Sequence, residues 1–157
     1  MVERYFCKVD VGGSNPPAGS MKDFVGSKAA LFFEGKLLVY LRDNKPAIHW
    51  PNMWDFPGGG REHNETPLET IIREIKEEFS ITLKSEAFIW KKEFPAMHDP
   101  SLTGIFLVGT LTHEDVNSIK FGEEGQKWQL MTVEEFLSRN DVIPDLKERL
   151  CTYLNTK

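Results

Sequence analysis

The sequence has few cysteines, no long apolar run and no excess of positive charge. Its two cysteines, Cys7 and Cys151, stand near opposite ends of the chain, so the close spacings of cysteine metal sites and redox motifs are absent and two reduced thiols are expected. No stretch approaches the ~20 apolar residues that span a bilayer. Lys8 and Asp10 interrupt the first apolar residues, unlike a signal peptide. These absences favour a cytoplasmic protein without a membrane partner.

Acidic residues outnumber basic ones, 24 against 19, and the formal net charge is -5. A nucleic-acid surface needs clustered lysines and arginines to neutralise phosphates, so nucleic acid is not an expected partner. The length of 157 residues is that of one domain. Hydrophobic residues make up 40% of the chain and charged residues 27%, which is typical of a globular protein and excludes a wholly disordered one.

Turn-forming residues divide the chain. Residues 12–20 are rich in glycine, proline and serine, which predicts a connector without helix or strand. Residues 1–26 are therefore predicted as an N-terminal arm or edge strand with its connector, and residues 27–157 as the main domain. Within that domain, Pro57–Gly60 predicts a turn in which no regular element can continue.

Apolar patterning predicts the elements of the main domain. Two β-like runs flank Glu34-Gly35 and predict a hairpin. The predicted strands are Lys28–Phe33, Lys36–Leu41, Ala87–Phe94, Thr103–Leu111 and Lys127–Met131, and the predicted helices are Thr66–Phe79, Thr132–Arg139 and one from about Pro144. This order suits an α/β fold in which helices pack on a mixed sheet.

The helix Thr66–Phe79 is the best defined of these elements. Thr66 is its predicted N-cap, Pro67 suits the first helical position, and Glu69 completes a capping box. Apolar residues at three- and four-residue steps form one stripe that faces a core. These are Leu68, Ile71, Ile72, Ile75 and Phe79.

A second flank of this helix carries three carboxylates. Glu74, Glu77 and Glu78 stand at i, i+3 and i+4, where like charges repel by a few tenths of a kcal/mol per pair. Such a patch on its own is more typical of a solvated surface. It is also a cluster of hard oxygens, which Mg²⁺ prefers.

The spacing around this patch is distinctive. Gly59, five residues, Glu65, seven residues and then Arg73-Glu74-Ile75-Lys76-Glu77-Glu78 give six fixed positions. At an average usage of ~6–7% per residue type, such a pattern recurs by chance with a probability on the order of 10⁻⁷ per start site.

This pattern resembles the signature of the Nudix hydrolase family, Gly-x5-Glu-x7-Arg-Glu-U-x-Glu-Glu-x-Gly-U, where U is aliphatic. The second glycine, which ends the helix in a left-handed conformation, is Ser80 here. Serine is expected to cost up to ~1 kcal/mol, unless the helix ends differently. The approach Trp54–Gly59 is similar to that of MutT-like members. The resemblance implies an α/β/α sandwich with a mixed central β-sheet.

The resemblance also implies roles for single residues. Metal-coordinating and base-positioning carboxylates match Glu74, Glu77 and Glu78, and a backbone carbonyl ligand matches Gly59. The loop Gly122–Gln126 resembles the family loop that donates a further carboxylate, which is Glu124 or, one residue away in register, Glu123.

Other positions match support and substrate roles. Glu65 and Arg73 match residues that brace the loop against the helix, with a structural ion pair as the favoured reading. Arg42 resembles a residue that holds substrate phosphate, although a surface arginine is the alternative. Stacking on a base is considered for four aromatic residues, with core packing as the competing interpretation. These are Phe33, His49, Trp50 and Trp54.

The implied activity is attack of a metal-activated water on a pyrophosphate linkage, with Mg²⁺ or Mn²⁺ as cofactor and Glu74 or Glu124 as base. Three functions follow from the resemblance. The first is a MutT-like hydrolase that converts a nucleoside triphosphate to monophosphate and pyrophosphate. The second is a hydrolase of ADP-ribose or another nucleoside diphosphate derivative, and the third is a nucleotide-binding module without turnover. Many relatives dimerise, so a homodimer is an assembly to test.

Overall fold

A computed structural model of the chain describes residues 23–157. The predicted N-terminal arm, including Cys7, lies outside the described residues, apart from residues 23–26. The first strand begins at Phe24, where pairing with the neighbouring strand starts, so residues 24–26 belong to the sheet. No helix among residues 23–157 is long and apolar enough to cross a bilayer.

Residues 23–157 contain seven strands, four α-helices and a short 3₁₀ helix at Ser85–Ala87. The strands are β1 Phe24–Phe33, β2 Lys36–Leu41, β3 Trp54–Asp55, β4 Gly58–Gly60, β5 Phe88–Pro95, β6 Thr103–Thr110 and β7 Lys127–Thr132. The helices are α1 Pro67–Phe79, α2 His113–Asn117, α3 Val133–Ser138 and α4 Pro144–Leu154. The predicted hairpin and the predicted long helix are therefore confirmed, to within a few residues at their ends.

The strands form one mixed sheet. Its order is β3-β2-β1-β6-β5, with β4 paired to β1 and β7 paired to β2. The β1–β6 pair is parallel and every other described pair is antiparallel. The predicted α/β class with a mixed sheet is confirmed.

Both faces of the sheet are covered. Because successive side chains of a strand point to opposite faces, Ala29 and Ala30 on β1 enter two different cores. One core includes Ile71, Ile75 and Phe79 of α1. The other includes Phe136 of α3 together with Leu146 and Leu150 of α4. These layers make the expected α/β/α sandwich.

The glycine run that was predicted as a turn is instead strand β4. Gly59 pairs with Ser27 and Gly58 pairs with Lys28. A Cβ at Gly58 would lie 2.1 Å from the Ser27 carbonyl oxygen, so only glycine allows this approach. The prediction was wrong because the pairing is made with a strand some 30 residues earlier and leaves no local apolar pattern.

Helix α1 ends at a serine in the left-handed conformation. Ser80 has φ 60° and ψ 27°, and its N–H donates to the Lys76 carbonyl oxygen at 3.0 Å. Its Oγ also donates to the Lys120 carbonyl oxygen at 3.2 Å. The helix therefore ends as it would with glycine, and the hydroxyl hydrogen bond offsets part of the conformational cost.

No cysteine among residues 23–157 is a free thiol. Cys151 lies on α4 and is disulfide-bonded, so the expectation of a reduced thiol is wrong for this residue.

Candidate active site

A cleft opens where β1, β4 and α1 meet the loops that follow β2 and β5. The apolar stripe of α1 is buried, and this fixes the rotation of the helix so that Glu74 and Glu78 line the cleft. The cleft has a volume of about 340 Å³. Its other lining residues are Val25, Gly26, Ser27, Lys28, Tyr40, Arg42, Trp50, Gly58, Gly59, Gly60, Ala96, Met97, His98, Gly104, Glu124, Ile143 and Arg149.

Strand β4 holds the two helix carboxylates at close range. The Gly58 N–H donates to Glu78 Oε1 at 2.9 Å. A Cβ on Gly59 would lie 2.7 Å from Glu74 Cδ and 2.8 Å from both of its carboxylate oxygens. The space that glycine leaves open is therefore filled by the Glu74 carboxylate.

Arg73 links the acidic helix to the preceding loop. Its Nε donates to Glu65 Oε2 at 2.7 Å, and its terminal nitrogens donate to Glu74 Oε1 at 2.9 Å and to the Gly60 carbonyl oxygen at 2.8 Å. The hydrogen bond from Arg73 is the largest cause that lowers the pKa of Glu65 to about 2. The structure thus places Glu65 and Arg73 in an ion pair between loop and helix.

Asp55 forms a buried hub that sequence reasoning missed. Its Oδ2 accepts hydrogen bonds from Lys28 Nζ at 2.9 Å, Arg42 NH1 at 2.9 Å and Tyr40 OH at 3.0 Å. Asp55 is fully buried, while Lys28 and Arg42 line the cleft. Two sequence features could have indicated this cluster: a lysine inside an apolar strand and an aspartate inside Trp-Asp-Phe. Buried charges need partners, so the two could have been expected to pair.

Burial raises the pKa of both cleft carboxylates on α1. The pKa of Glu78 is raised to about 8, because desolvation outweighs the opposing effects of Lys28 and the Gly58 N–H. The pKa of Glu74 is also raised by burial, although Arg73 opposes this. Without a bound cation, Glu78 is therefore largely protonated at neutral pH.

The remaining predicted carboxylates lie at different distances from this centre. Glu124 lines the cleft, in a loop that is tied to α1 by the Gly122 N–H donating to the Glu78 carbonyl oxygen at 2.8 Å. Glu77 is 57% exposed, and its carboxylate lies 3.3 Å from Arg73 NH1. Of the two alternatives in the loop, it is Glu124 that lines the cleft.

Two of the predicted aromatic residues are not brought to the cleft. Trp54 is buried in the core, and the cations of Lys127 and Arg139 lie 5.7 and 5.6 Å from the centroid of its ring. Phe33 lies at the far end of β1, five residues or ~16 Å along the strand from Lys28, and packs against His113. Both side chains therefore pack against other parts of the protein, as the packing interpretation expects. Trp50 is the tryptophan that lines the cleft.

The donor set matches the chemistry of a hard divalent cation. Carboxylate oxygens and a backbone carbonyl are the ligands that Mg²⁺ takes from proteins, and the Gly59 position leaves room for the Glu74 carboxylate beside them. No three carboxylate, imidazole or thiolate groups within residues 23–157 are already gathered as a metal site. The residues fit such an ion by the type of their donor atoms.

The NUDIX domain family model matches residues 27–151. The chain belongs to the NUDIX family. This confirms the family indicated by the Gly59–Glu78 spacing, and it covers most of the described chain.

Curated relatives of this NUDIX chain match over short regions. It is 40% identical over 43 residues to an 8-oxo-dGTP diphosphatase of Proteus vulgaris, a match covering 27% of this chain and 38% of that protein. It is 34% identical over 62 residues to an 8-oxo-dGTP diphosphatase of Escherichia coli K12, covering 38% and 48%. The matches thus span less than half the length of these relatives.

Solved structures share the NUDIX fold. The MutT protein from Methanosarcina mazei Go1 has a TM-score of 0.67 at 19% identity, over 88% of this chain and 100% of that one. A NUDIX hydrolase from Nitrosomonas europaea has a TM-score of 0.68 at 21% identity, over 87% and 72%. At these identities the likeness shows the fold alone.

Proposed function

We propose that this NUDIX chain is a hydrolase that cleaves the pyrophosphate linkage of a nucleoside triphosphate and releases nucleoside monophosphate and pyrophosphate. The observation that carries the proposal is the meeting of Glu74, Glu78 and Glu124 with Lys28 and Arg42 in one cleft. Acidic oxygens beside positively charged side chains suit a divalent cation together with a polyphosphate, since the carboxylates can hold the cation and the lysine and arginine can hold phosphate oxygens. The names of the curated relatives, both nucleotide diphosphatases, support this choice.

The proposed cofactor is Mg²⁺, with Mn²⁺ as a substitute. Glu74, Glu77, Glu78, Glu124 and the carbonyl of Gly59 are the groups proposed to hold it. When bound, the cation would neutralise phosphate oxygens and lower the pKa of a water molecule. Arg73 and Glu65 position the acidic residues by fixing the loop against α1.

The cleft residues of the chain would orient the substrate. Lys28 and Arg42 are both hydrogen-bonded to Asp55, which fixes their side chains before the substrate arrives. They are therefore proposed to hold phosphate oxygens, as is expected of pre-positioned charges. Glu74 and Glu124 are the two candidates to accept the proton of the attacking water.

A substrate panel tests the proposal. Purified protein is incubated with Mg²⁺ and dGTP, 8-oxo-dGTP, CTP, ATP or ADP-ribose, and the products are separated and quantified. Pyrophosphate from triphosphates is the expected result. AMP with ribose phosphate from ADP-ribose alone would instead support a nucleoside diphosphate hydrolase, and binding without any product would support a module without turnover.

Two adjacent glutamates provide a matched pair of variants. Glu124→Gln is expected to lower turnover by at least about tenfold, because it removes a carboxylate that lines the cleft. Glu123→Gln removes the same charge from the same loop and is expected to leave turnover within about twofold. Steady-state kcat at saturating Mg²⁺ is the measurement. Equal losses in both variants would contradict the assignment of Glu124.

A further inference from the structure

Arg149 is a buried arginine that lines the cleft. It lies on α4 and is 4% exposed. One terminal nitrogen donates to the Pro95 carbonyl oxygen at 2.8 Å. The guanidinium carbon lies 5.2 Å from the centroid of the Phe94 ring.

The charge of Arg149 has no ion-pair partner among residues 23–157. Asp145 stands one turn earlier, where an exposed ion pair would normally form, yet the arginine side chain turns into the cleft instead. Removing a charge from water without a partner is unfavourable. A position of this kind indicates that a ligand supplies the missing interactions.

Most N–H donors of Arg149 remain available. A guanidinium has five N–H donors, and one hydrogen bond to protein is made within the described chain. The only fully buried polar side-chain atom without a partner in residues 23–157 is Asp55 Oδ1. The unpartnered nitrogens of Arg149 therefore reach the solvent of the cleft.

The side chains next to Arg149 are largely apolar. A Cβ on Gly104 would lie 3.6 Å from a terminal nitrogen of Arg149 and 3.5 Å from the Cα of Ala96, so these two small residues and the Phe94 ring lie next to the guanidinium. Lys28 and Arg42, in contrast, share the carboxylate of Asp55. A phosphate is expected where two cations lie together. A nucleobase, which has apolar faces and a polar edge, suits the place where one arginine stands among apolar groups.

We propose that Arg149 determines base specificity by binding two neighbouring acceptor atoms on one edge of the substrate's nucleobase. This inference rests on the proposed nucleotide substrate and extends it to the base. A guanidinium fork matches O6 and N7 of guanine, and it matches O2 and N3 of cytosine in the same way. In adenine and uracil, a donor stands beside each such acceptor. Guanine and cytosine nucleotides are therefore the preferred substrates.

The test measures binding without requiring turnover. Dissociation constants of GMP, CMP, AMP and UMP are determined by calorimetry in chelator, for the wild type and for Arg149→Met. The wild type is expected to bind GMP, CMP or both at least about tenfold more tightly than AMP and UMP. Arg149→Met, which keeps the side-chain volume, is expected to reduce this preference to about twofold. The GMP and CMP arms identify which base is read.

Two further variants serve as controls. Arg149→Lys keeps a charge and a donor for the Pro95 carbonyl but has no fork, so it is also expected to lose most of the preference. Lys91→Met removes a positive charge from exposed strand β5 and is expected to change none of the four constants by more than about twofold. Thermal melting of each variant confirms that it is folded.

Several outcomes would overturn the inference. These are equal binding of all four nucleotides by the wild type, and a uniform loss of affinity for all four in Arg149→Met, which a purely structural arginine would produce. Pyrophosphate release from triphosphates without base preference would refute the inference and leave the proposed function intact. Preferential GMP or CMP binding without hydrolysis of any triphosphate would support the inference and refute the proposed function.

Discussion

At the scale of single residues, Glu78 is a buried carboxylate with a raised pKa. Its pKa is raised to about 8, mainly by desolvation, against an ordinary value near 4.3. The folded, metal-free protein thus binds this proton more tightly than the unfolded chain does. The stabilisation is complete below the unfolded pKa and is lost as the pH rises through about 8.

Glu78→Gln is therefore expected to remove a pH-dependent loss of stability. In chelator, the free energy of unfolding of the wild type should decrease by at most about 1.4 kcal/mol per pH unit from this group between pH 5 and 8. The variant should become more stable relative to the wild type over that range, as measured by urea denaturation at each pH. Glu86→Gln, an exposed control, should show no such trend, and a constant difference for Glu78→Gln would contradict the prediction.

Asp55 illustrates the opposite case, a buried carboxylate with three hydrogen-bond donors on one oxygen. Asp55→Asn leaves Lys28 and Arg42 without their counter-charge, so a destabilisation of about 3 kcal/mol is expected. Tyr40→Phe removes only one neutral donor from the same hub and should cost about 1 kcal/mol. The denaturant midpoint at constant slope measures both. A loss below 1 kcal/mol in Asp55→Asn would show that the hub contributes little.

At the scale of elements, strand β4 contains two neighbouring glycines with different roles. Gly58 allows the backbone to approach β1, and Gly59 leaves space for the Glu74 carboxylate. The Cβ of Gly58→Ala would meet backbone of β1 at 2.1 Å, with φ at +136°, whereas the Cβ of Gly59→Ala would meet the movable Glu74 carboxylate. The two variants are therefore expected to fail in different ways, although the residues are neighbours.

Gly58→Ala is expected to destabilise the fold by about 3 kcal/mol or more, because the backbone itself must shift. Gly59→Ala should cost about 1 kcal/mol or less, but it should lower turnover about a hundredfold by displacing Glu74. Melting temperature and kcat are measured on both proteins. Near wild-type turnover in a folded Gly59→Ala protein would mean that the position of Glu74 is not critical.

At the scale of the whole molecule, cation binding should be linked to folding. A cation held by carboxylates of α1 and of the loop carrying Glu124 binds the native state only, and at 100 times its dissociation constant it adds ~2.7 kcal/mol. For a domain of this size, Mn²⁺ should therefore raise the melting temperature by roughly 5–10 °C. Chelator should reverse the increase, and Glu78→Gln should reduce it. An equal increase in the variant would place the cation elsewhere.

The sequence made local features predictable and long-range ones hard to predict. The capping box of α1, its buried stripe and its acidic flank all lie within fourteen consecutive residues, and the Thr66 cap is observed as predicted. Strand β4, the Asp55 hub and Arg149 depend on partners that lie far away in the chain, such as Ser27 for Gly59 and Pro95 for Arg149. Periodicity carries no information about those contacts, because each is made between single residues of different elements.

The loop that carries Glu124 is held in place by backbone hydrogen bonds on both sides. On one side the Lys120 and Gly122 N–H groups bond to carbonyl oxygens of Phe79 and Glu78, and on the other the Gln126 N–H bonds to the Leu41 carbonyl oxygen. The effect of an insertion should therefore depend on its position in this segment. Extra residues before Lys120 would bulge into solvent and leave the site undisturbed. A single insertion between Gly122 and Gln126 would carry Glu124 away from its neighbours without unfolding anything.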